Sequence, residues 1–394
     1  MNPSLSSNVQ KRYPEYITAI RNKAISLQQK GIKVIRLESG DIEGLLPEDI
    51  EVNIIQALRE GKTKYDHQCG IKYLRERVQE EISERKKVNL DLEDICVTNG
   101  GTGALFTSFF MTLNKGDEVI LPSPYWSVVL GQIRHLGSIP VEVPLIKEFD
   151  LDTKAIERSI SRNTKAMYIN TPNNPTGALF SRENLEELAS ISDKHNLWVI
   201  SDEAYEKIIF EGKHYSIFSL IPERTILAGS YSKEFQMTGL RIGYAATKNK
   251  ELSSRFVDIA RSLTSGIPTP TQYGLAKAQV SETVLSNFLT RLKEKRDTLI
   301  EEVSNVNGFN FKIPKASLFL FIDCSEHIPK NMQGEERDLY LTNMLLEKYN
   351  IAVCPGRAFG KDYSGFIRLA YSTPSLQDLR EAGKKFKEIF GTKS

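Results

Sequence analysis

The sequence has little cysteine. Only Cys69, Cys96, Cys324 and Cys354 occur in 394 residues, far apart and with no C-x-x-C pair. That excludes a disulfide framework and a zinc ribbon, and it suits a reducing compartment. The five histidines are scattered with no H-x-x-x-H pair, so no metal site is expected. No apolar run approaches the roughly 20 residues that a membrane-spanning helix needs. The start, MNPSLSSNVQKRYPEY, lacks the apolar stretch of a secretion signal, so a cytoplasmic location is expected. Neither charge dominates: 52 Lys and Arg stand against 50 Asp and Glu, a net +2. No nucleic-acid partner is implied by so even a balance. Walker-type lysine, G-x-S-x-G and H-E-x-x-H motifs are all missing.

What is present is ordinary globular composition, 40% hydrophobic and 26% charged, in a chain long enough for two or three packed units. From Ile95 to Ala245 short apolar runs alternate with helical stretches. Strands are predicted at 95–98, 118–121, 140–143, 166–169, 198–200, 225–228 and 241–245. Helices are predicted at 104–113, 125–135, 153–160 and from a Ser181 cap to about Lys194, where Leu185, Leu188 and Ile191 share one face. This rhythm indicates an α/β fold with a mainly parallel sheet covered on both sides. Helical patterns follow at 252–263 and 271–303, the latter with a break. The last hundred residues read as a smaller α+β unit, joined by the segment near Ile35 to Gly40.

In an open α/β sheet, ligands bind beyond the carboxyl ends of the strands. Four polar clusters fall at such ends: Asn99 to Gly103, Asn170 to Gly177, Ser201 to Tyr205, and Ser230 to Lys233. The first reads either as a tight turn or as an anion cradle, in which N–H groups at a helix start and the Thr102 hydroxyl face a phosphate. It is not a dinucleotide fingerprint, because Phe106 stands where G-x-G-x-x-G needs a small residue. Lys233 is a solvated turn residue or a crowded amine of lowered pKa. Such an amine commonly forms a Schiff base with pyridoxal phosphate, which needs a carboxylate at its ring nitrogen. Asp202 offers that carboxylate, although alone it reads equally as a helix cap.

Taken in order, N-N-P-T-G (173–177), S-D-E-A-Y (201–205), S-Y-S-K (230–233), R-I-G-Y (241–244) and I-R-L-A-Y-S (367–372) resemble the class I/II aminotransferases, fold-type I enzymes that use pyridoxal phosphate. The resemblance runs from about Leu37 to Leu376. It implies a large cofactor-binding domain at 47–290, a small domain at 291–394, and an arm with part of the small domain at 1–46. It also implies ping-pong transfer of an amino group from an L-amino acid to a 2-oxo acid. Lys233 would carry the Schiff base and shuttle the proton, Asp202 would hold the ring nitrogen, and Tyr205 with Asn174 the ring oxygen. Gly101, Thr102, Gly103, Ser230, Ser232 and Arg241 would hold the phosphate. Trp126 would cover the ring face, with its neighbour Tyr125 as the alternative. Gly40, Asn174 and Arg368 would meet the substrate, Arg368 by gripping its α-carboxylate. Tyr65 would reach the cofactor phosphate of a second subunit, making the enzyme a homodimer with shared sites.

Several positions depart from the family pattern. Asp41 and Glu43 follow Gly40 in place of the usual run; they read as a solvated loop or as a preference for basic or polar substrates. Thr102 stands where some aspartate-preferring relatives carry a lysine that pairs with a distal carboxylate. Arg357 replaces a smaller residue and meets either a substrate carboxylate or water, and Ala316 replaces a glycine. A lyase or cyclase on the same scaffold is the alternative function. A binding or regulatory protein ranks last, because such proteins usually carry an added DNA-binding domain and none is visible.

Overall fold

The structure, a computed structural model, describes residues 15–393; the first fourteen residues of the expected N-terminal arm lie outside it. β1 (Ile35–Arg36) finds its partner only late in the chain. The central sheet collects β2 (Ile95–Asn99), β3 (Glu118–Ser123), β4 (Ile139–Pro144), β5 (Thr164–Asn170), β6 (Trp198–Asp202), β7 (Thr225–Ser230) and β8 (Ile242–Ala246). Its order is β2-β8-β7-β6-β5-β3-β4. β8 runs antiparallel to both its neighbours, and the ladders from β7 across to β4 are parallel. The fold is thus α/β with a mainly parallel sheet, as the sequence predicts.

Strand alternation explains the two-sided core. Val119, Leu121 and Tyr168 face the helices Gly100–Thr112, Ser127–His135 and Phe256–Leu263, packing with Phe109, Ile133 and Phe256. Their neighbours Ile120, Met167 and Ile169 point the other way, onto Leu185 and Leu188 of the helix Arg182–Lys194. Burying one such aliphatic side chain is worth about 1.5–3 kcal/mol, so the alternation fixes the register of each strand. Ser181 caps that helix by accepting the Asn184 N–H at 3.3 Å.

The smaller unit is built on β9 (Asn310–Phe311), β10 (Phe319–Asp323), β12 (Cys354–Pro355) and β13 (Phe366–Ala370), an antiparallel sheet ordered β12-β13-β10-β9. β1 pairs in parallel with β11 (Ile351–Ala352). The helices Glu282–Ser304, Gly334–Tyr349 and Leu376–Phe390 bring Leu299, Leu345 and Phe386 onto the buried face of β10 and β13.

Some boundaries differ from expectation. The helix expected at 104–113 begins at Gly100, so the glycines form its first turn. The strand expected from Arg241 begins at Ile242, because Arg241 has a left-handed backbone with φ 57°. The 252–263 stretch is two helices, Lys250–Ser253 and Phe256–Leu263. The break within 271–303 falls between Lys277 and Glu282, where Ser281 caps the second helix. Three early helices, Tyr16–Gln29, Glu48–Arg59 and Lys72–Lys86, carry weak sequence signals: the first buries only Ile20 and Ala24. No helix among the described residues is long and apolar enough to cross a membrane.

Candidate active site

Three parallel strands end side by side, and their ends define the site. Register pairs Asn170 of β5 with Asp202 of β6, and Asp202 with Ala228 of β7. The chain leaves β5 at once into N-N-P-T-G, held back by Asn170: its Oδ1 accepts the Asn174 N–H at 2.8 Å, and its Nδ2 donates to the Asp202 carbonyl at 3.2 Å. Past β7 the turn carries Lys233, whose Nζ meets the Gly40 carbonyl.

A chain of hydrogen bonds crosses the site. Arg368 Nη1 donates to Asn174 Oδ1 at 3.1 Å, and Asn174 Nδ2 reaches Tyr205 Oη at 3.5 Å. Asp202, at the start of the same turn as Tyr205, accepts the Tyr168 hydroxyl at 2.7 Å and the Ala204 N–H at 3.2 Å. Burial raises the Asp202 pKa to about 6, against the pull of those two donors. Burial also raises the Tyr205 phenol. Asp202 is therefore a buried carboxylate short of a cationic partner, which is what a protonated ring nitrogen would supply.

Lys233 has the opposite problem. Its Nζ donates to the Gly40 carbonyl at 2.8 Å and has no carboxylate in contact among the described residues. Burial lowers its pKa to about 8; Asp41 pulls it up, and Arg241, Arg368 and Arg21 push it further down. A lysine so placed is partly neutral near physiological pH and can attack a carbonyl carbon.

The glycine cluster forms a cradle at the N-terminus of the helix Gly100–Thr112. Gly100 has φ +67°, and a Cβ there would lie 2.6 Å from Arg241 Nη2. A Cβ on Gly243 would meet the Gly100 carbonyl carbon at 2.5 Å. Only bare backbone lets β7, β8 and this helix converge. Arg241, fixed by donating to the Thr238 and Asn99 carbonyls at 2.8 and 3.4 Å, sits against the helix start, and Ser230 Oγ accepts the Ser232 N–H at 3.3 Å. Free N–H groups, hydroxyls and a guanidinium together make an anion site.

Arg368 is 4% exposed and lies between two rings, its guanidinium carbon 4.2 Å from the Phe319 centroid and 4.9 Å from that of Phe359. Nη2 donates to the Glu38 carbonyl at 2.8 Å and lies 3.2 Å from Cys354 Sγ, while the buried Nε has no partner. A buried cation with an unmet donor calls for an anion. Phe319 also sits 3.3 Å from where a Gly40 Cβ would be.

The contacts join Arg368 to Asn174 and Tyr205, Lys233 to Gly40, and Arg241 to Gly100; Tyr65 is 91% exposed on the loop after Glu48–Arg59. Trp126 is half-buried at the start of the helix Ser127–His135. Tyr125 is buried, and its hydroxyl engages Glu142. The acidic pair after Gly40 is committed to the protein. Asp41 Oδ1 accepts from Thr238 Oγ1 at 2.6 Å, and Glu43 pairs with Lys295. Arg357 pairs with Asp338 at 3.3 Å.

Sequence reasoning missed Tyr168, Phe319 and Phe359, and also Glu203. The Glu203 carboxylate takes Lys86 at 2.6 Å, His214 at 2.9 Å, Ser201 at 2.8 Å and Ser216 at 2.5 Å. Burial raises its pKa, but Lys86 and His214 outweigh that and hold it low. Lys86 also reaches Glu206 at 2.5 Å. Its ammonium thus occupies the centre of the Glu203, Glu206 and His214 group, whose geometry would otherwise suit a metal ion. A hydroxyl inside an apolar strand (Tyr168) and a carboxylate beside Asp202 were the available signals.

A family model described as aminotransferase class I and II matches residues 32–386. A probable aspartate/prephenate aminotransferase of Aquifex aeolicus is 36% identical, over 99% of this chain and all of that protein. The aspartate/prephenate aminotransferase of Thermus thermophilus is 34% identical, over 98% of this chain and 99% of its own length. Among solved structures, aspartate aminotransferase from Thermus thermophilus with maleate superposes with a TM-score of 0.91 at 32% identity, covering 98% of this chain and all of that one.

Proposed function

This chain belongs to the class I and II aminotransferases and is an aminotransferase, and on that footing we propose that it uses pyridoxal phosphate to move the amino group of L-aspartate to a 2-oxo acid. The observation that carries the reading is the Lys233 amine, lowered to about 8 and held to the Gly40 carbonyl. The donor is taken from the relatives named for aspartate, and the pairing of Glu43 with Lys295 supports it, because that charge is not left to reward a basic substrate.

The residues fit the cofactor. The backbone-only cradle at Gly100 to Gly103, with Ser230, Ser232 and Arg241, suits its phosphate; Asp202 suits its ring nitrogen; Asn174 and Tyr205 suit its ring oxygen; and Trp126 suits its face. When bound, pyridoxal phosphate supplies an aldehyde for amines and a ring that accepts the electrons left when the substrate Cα loses its proton. Lys233 would hold that aldehyde, and its Nζ would take up the proton lost by the substrate Cα. Arg368 holds the α-carboxylate through its fork and so fixes which Cα bond faces Nζ. Asp202 would stay ionised opposite the protonated ring nitrogen and so keep the ring able to accept those electrons. The second half-reaction runs the same steps backwards with a 2-oxo acid.

Tyr65, exposed on one subunit, reaches the phosphate of a partner subunit, and the protein works as a homodimer. The four free cysteines, all buried, suit the cytoplasm. The test is a panel of amino donors and 2-oxo acids with the cofactor-loaded protein. Beyond one equivalent per site, aspartate gives its oxo acid only when a 2-oxo acid is present, and without ammonia. Ammonia release with no acceptor contradicts the reading.

A further inference from the structure

The cations around Lys233 outnumber the anions that face them. The charges felt by its amine are those of Asp41, Arg241, Arg368 and Arg21. Two of the arginines have a use in the reading above, on which this inference rests. A bound phosphate answers Arg241, and the α-carboxylate answers Arg368. Arg21 is left over.

Arg21 lies on the helix Tyr16–Gln29, one turn after Ile17 and beside the buried Ile20. Ile17, one turn before Arg21, packs with Tyr16 against the cluster of Cys354, Ala358 and Phe359. Ile20 and Ala24 pack on Ala352 and Leu346. Cys354 pairs in register with Arg368, and Phe359 is one of the two rings beside the Arg368 guanidinium. The helix therefore stands against the wall that holds Arg368. The Arg21 charge is felt at Cys354 as well as at Lys233. Arg21 is exposed and has no ion-pair partner among the described residues. The other cation at this wall, Arg357, is already matched by Asp338.

We propose that Arg21 is a specificity residue, which binds the second carboxylate of a dicarboxylic substrate and selects it over a monocarboxylic one. The glycine cradle offers no cation for this, because Thr102 is uncharged. An exposed guanidinium can meet a carboxylate as it enters and fork onto it with two N–H groups. Two anions on one substrate, held by Arg368 and Arg21, fix its orientation better than one.

The test compares the cofactor-loaded wild type with Arg21→Gln and Arg21→Lys, using aspartate and alanine as donors and maleate as a dicarboxylate that cannot react. The aspartate-to-alanine ratio of kcat/KM is expected to fall about 10- to 100-fold in Arg21→Gln, the range for losing a charge-assisted hydrogen bond. The maleate Kd, read by calorimetry, is expected to rise by the same factor, and Arg21→Lys is expected to recover part of both. An unaltered ratio together with an unaltered maleate Kd overturns the proposal, as does an equal loss on both donors. If the wild type transaminates no donor, the proposed function fails instead, and the maleate titration still reads the Arg21 site.

Discussion

Tyr168 donates its hydroxyl to Asp202 Oδ2 at 2.7 Å in the buried centre of the sheet. The bond aims the carboxylate and helps keep it ionised against the burial that raises its pKa to about 6. Tyr168→Phe keeps the ring volume and removes this one donor. We expect a pyridoxal phosphate Kd about tenfold weaker, since a hydrogen bond to a charged group is worth roughly 1.5–3 kcal/mol. The thermal midpoint of the cofactor-free protein should fall as well, because the same buried bond is present there. An absorbance titration beside a melting curve checks both.

Asp202 also makes stability depend on pH when no cofactor is bound. Its folded pKa of about 6 lies above the unfolded value of 3.8, so between those values the folded state holds more protons. Stability contributed by this group is complete below pH 3.8 and is lost as pH rises through 6. The loss is about 3 kcal/mol by linkage. Urea unfolding of the cofactor-free protein across this range should show that slope in the wild type, and Asp202→Asn should lack it. The same variant should lose activity by on the order of 10²–10³-fold once loaded.

Arg368→Lys keeps the charge and loses the fork. Its expected effect is a KM for every amino donor raised about 10- to 100-fold. Steady-state kinetics with several donors measure it. A KM that stays put would place the α-carboxylate elsewhere.

Gly243→Ala puts a Cβ 2.5 Å from the Gly100 carbonyl carbon and 2.6 Å from the Gly101 nitrogen, backbone atoms that cannot rotate away. The expected cost is about 1–3 kcal/mol of stability, as for an overpacked core, together with weaker cofactor binding because the cradle is displaced. Equilibrium unfolding and cofactor titration read the two effects separately.

The sheet was legible because β3 and β5 to β7 are short apolar runs bounded by turn residues, and because their polar ends carry N-N-P-T-G, S-D-E-A-Y and S-Y-S-K. Those motifs hold Asn174, Asp202, Tyr205 and Lys233 at fixed distances along the chain from the strands that position them. Arg368 was named only through family resemblance: its burial between Phe319 and Phe359 depends on β10 and the turn after β12, which no local pattern connects. Tyr168 was hidden for a similar reason, since a tyrosine in a strand reads as packing until its hydroxyl is seen to meet a carboxylate 34 residues away. The early helices escaped because a charged segment such as Lys72–Lys86 shows little periodic contrast, although tertiary packing buries Leu74, Val78 and Ile82. The significance of Asp41 and Glu43 could not be read locally either, because their partners Thr238 and Lys295 come from distant parts of the chain.

The central claim is that Lys233 is the covalent anchor of the cofactor. Protein saturated with pyridoxal phosphate, reduced with borohydride and digested, should carry the phosphopyridoxyl mass on the peptide containing Lys233. Lys233→Ala should carry none and should not transaminate. Finding the mass on another lysine, or activity retained in Lys233→Ala, would contradict the account.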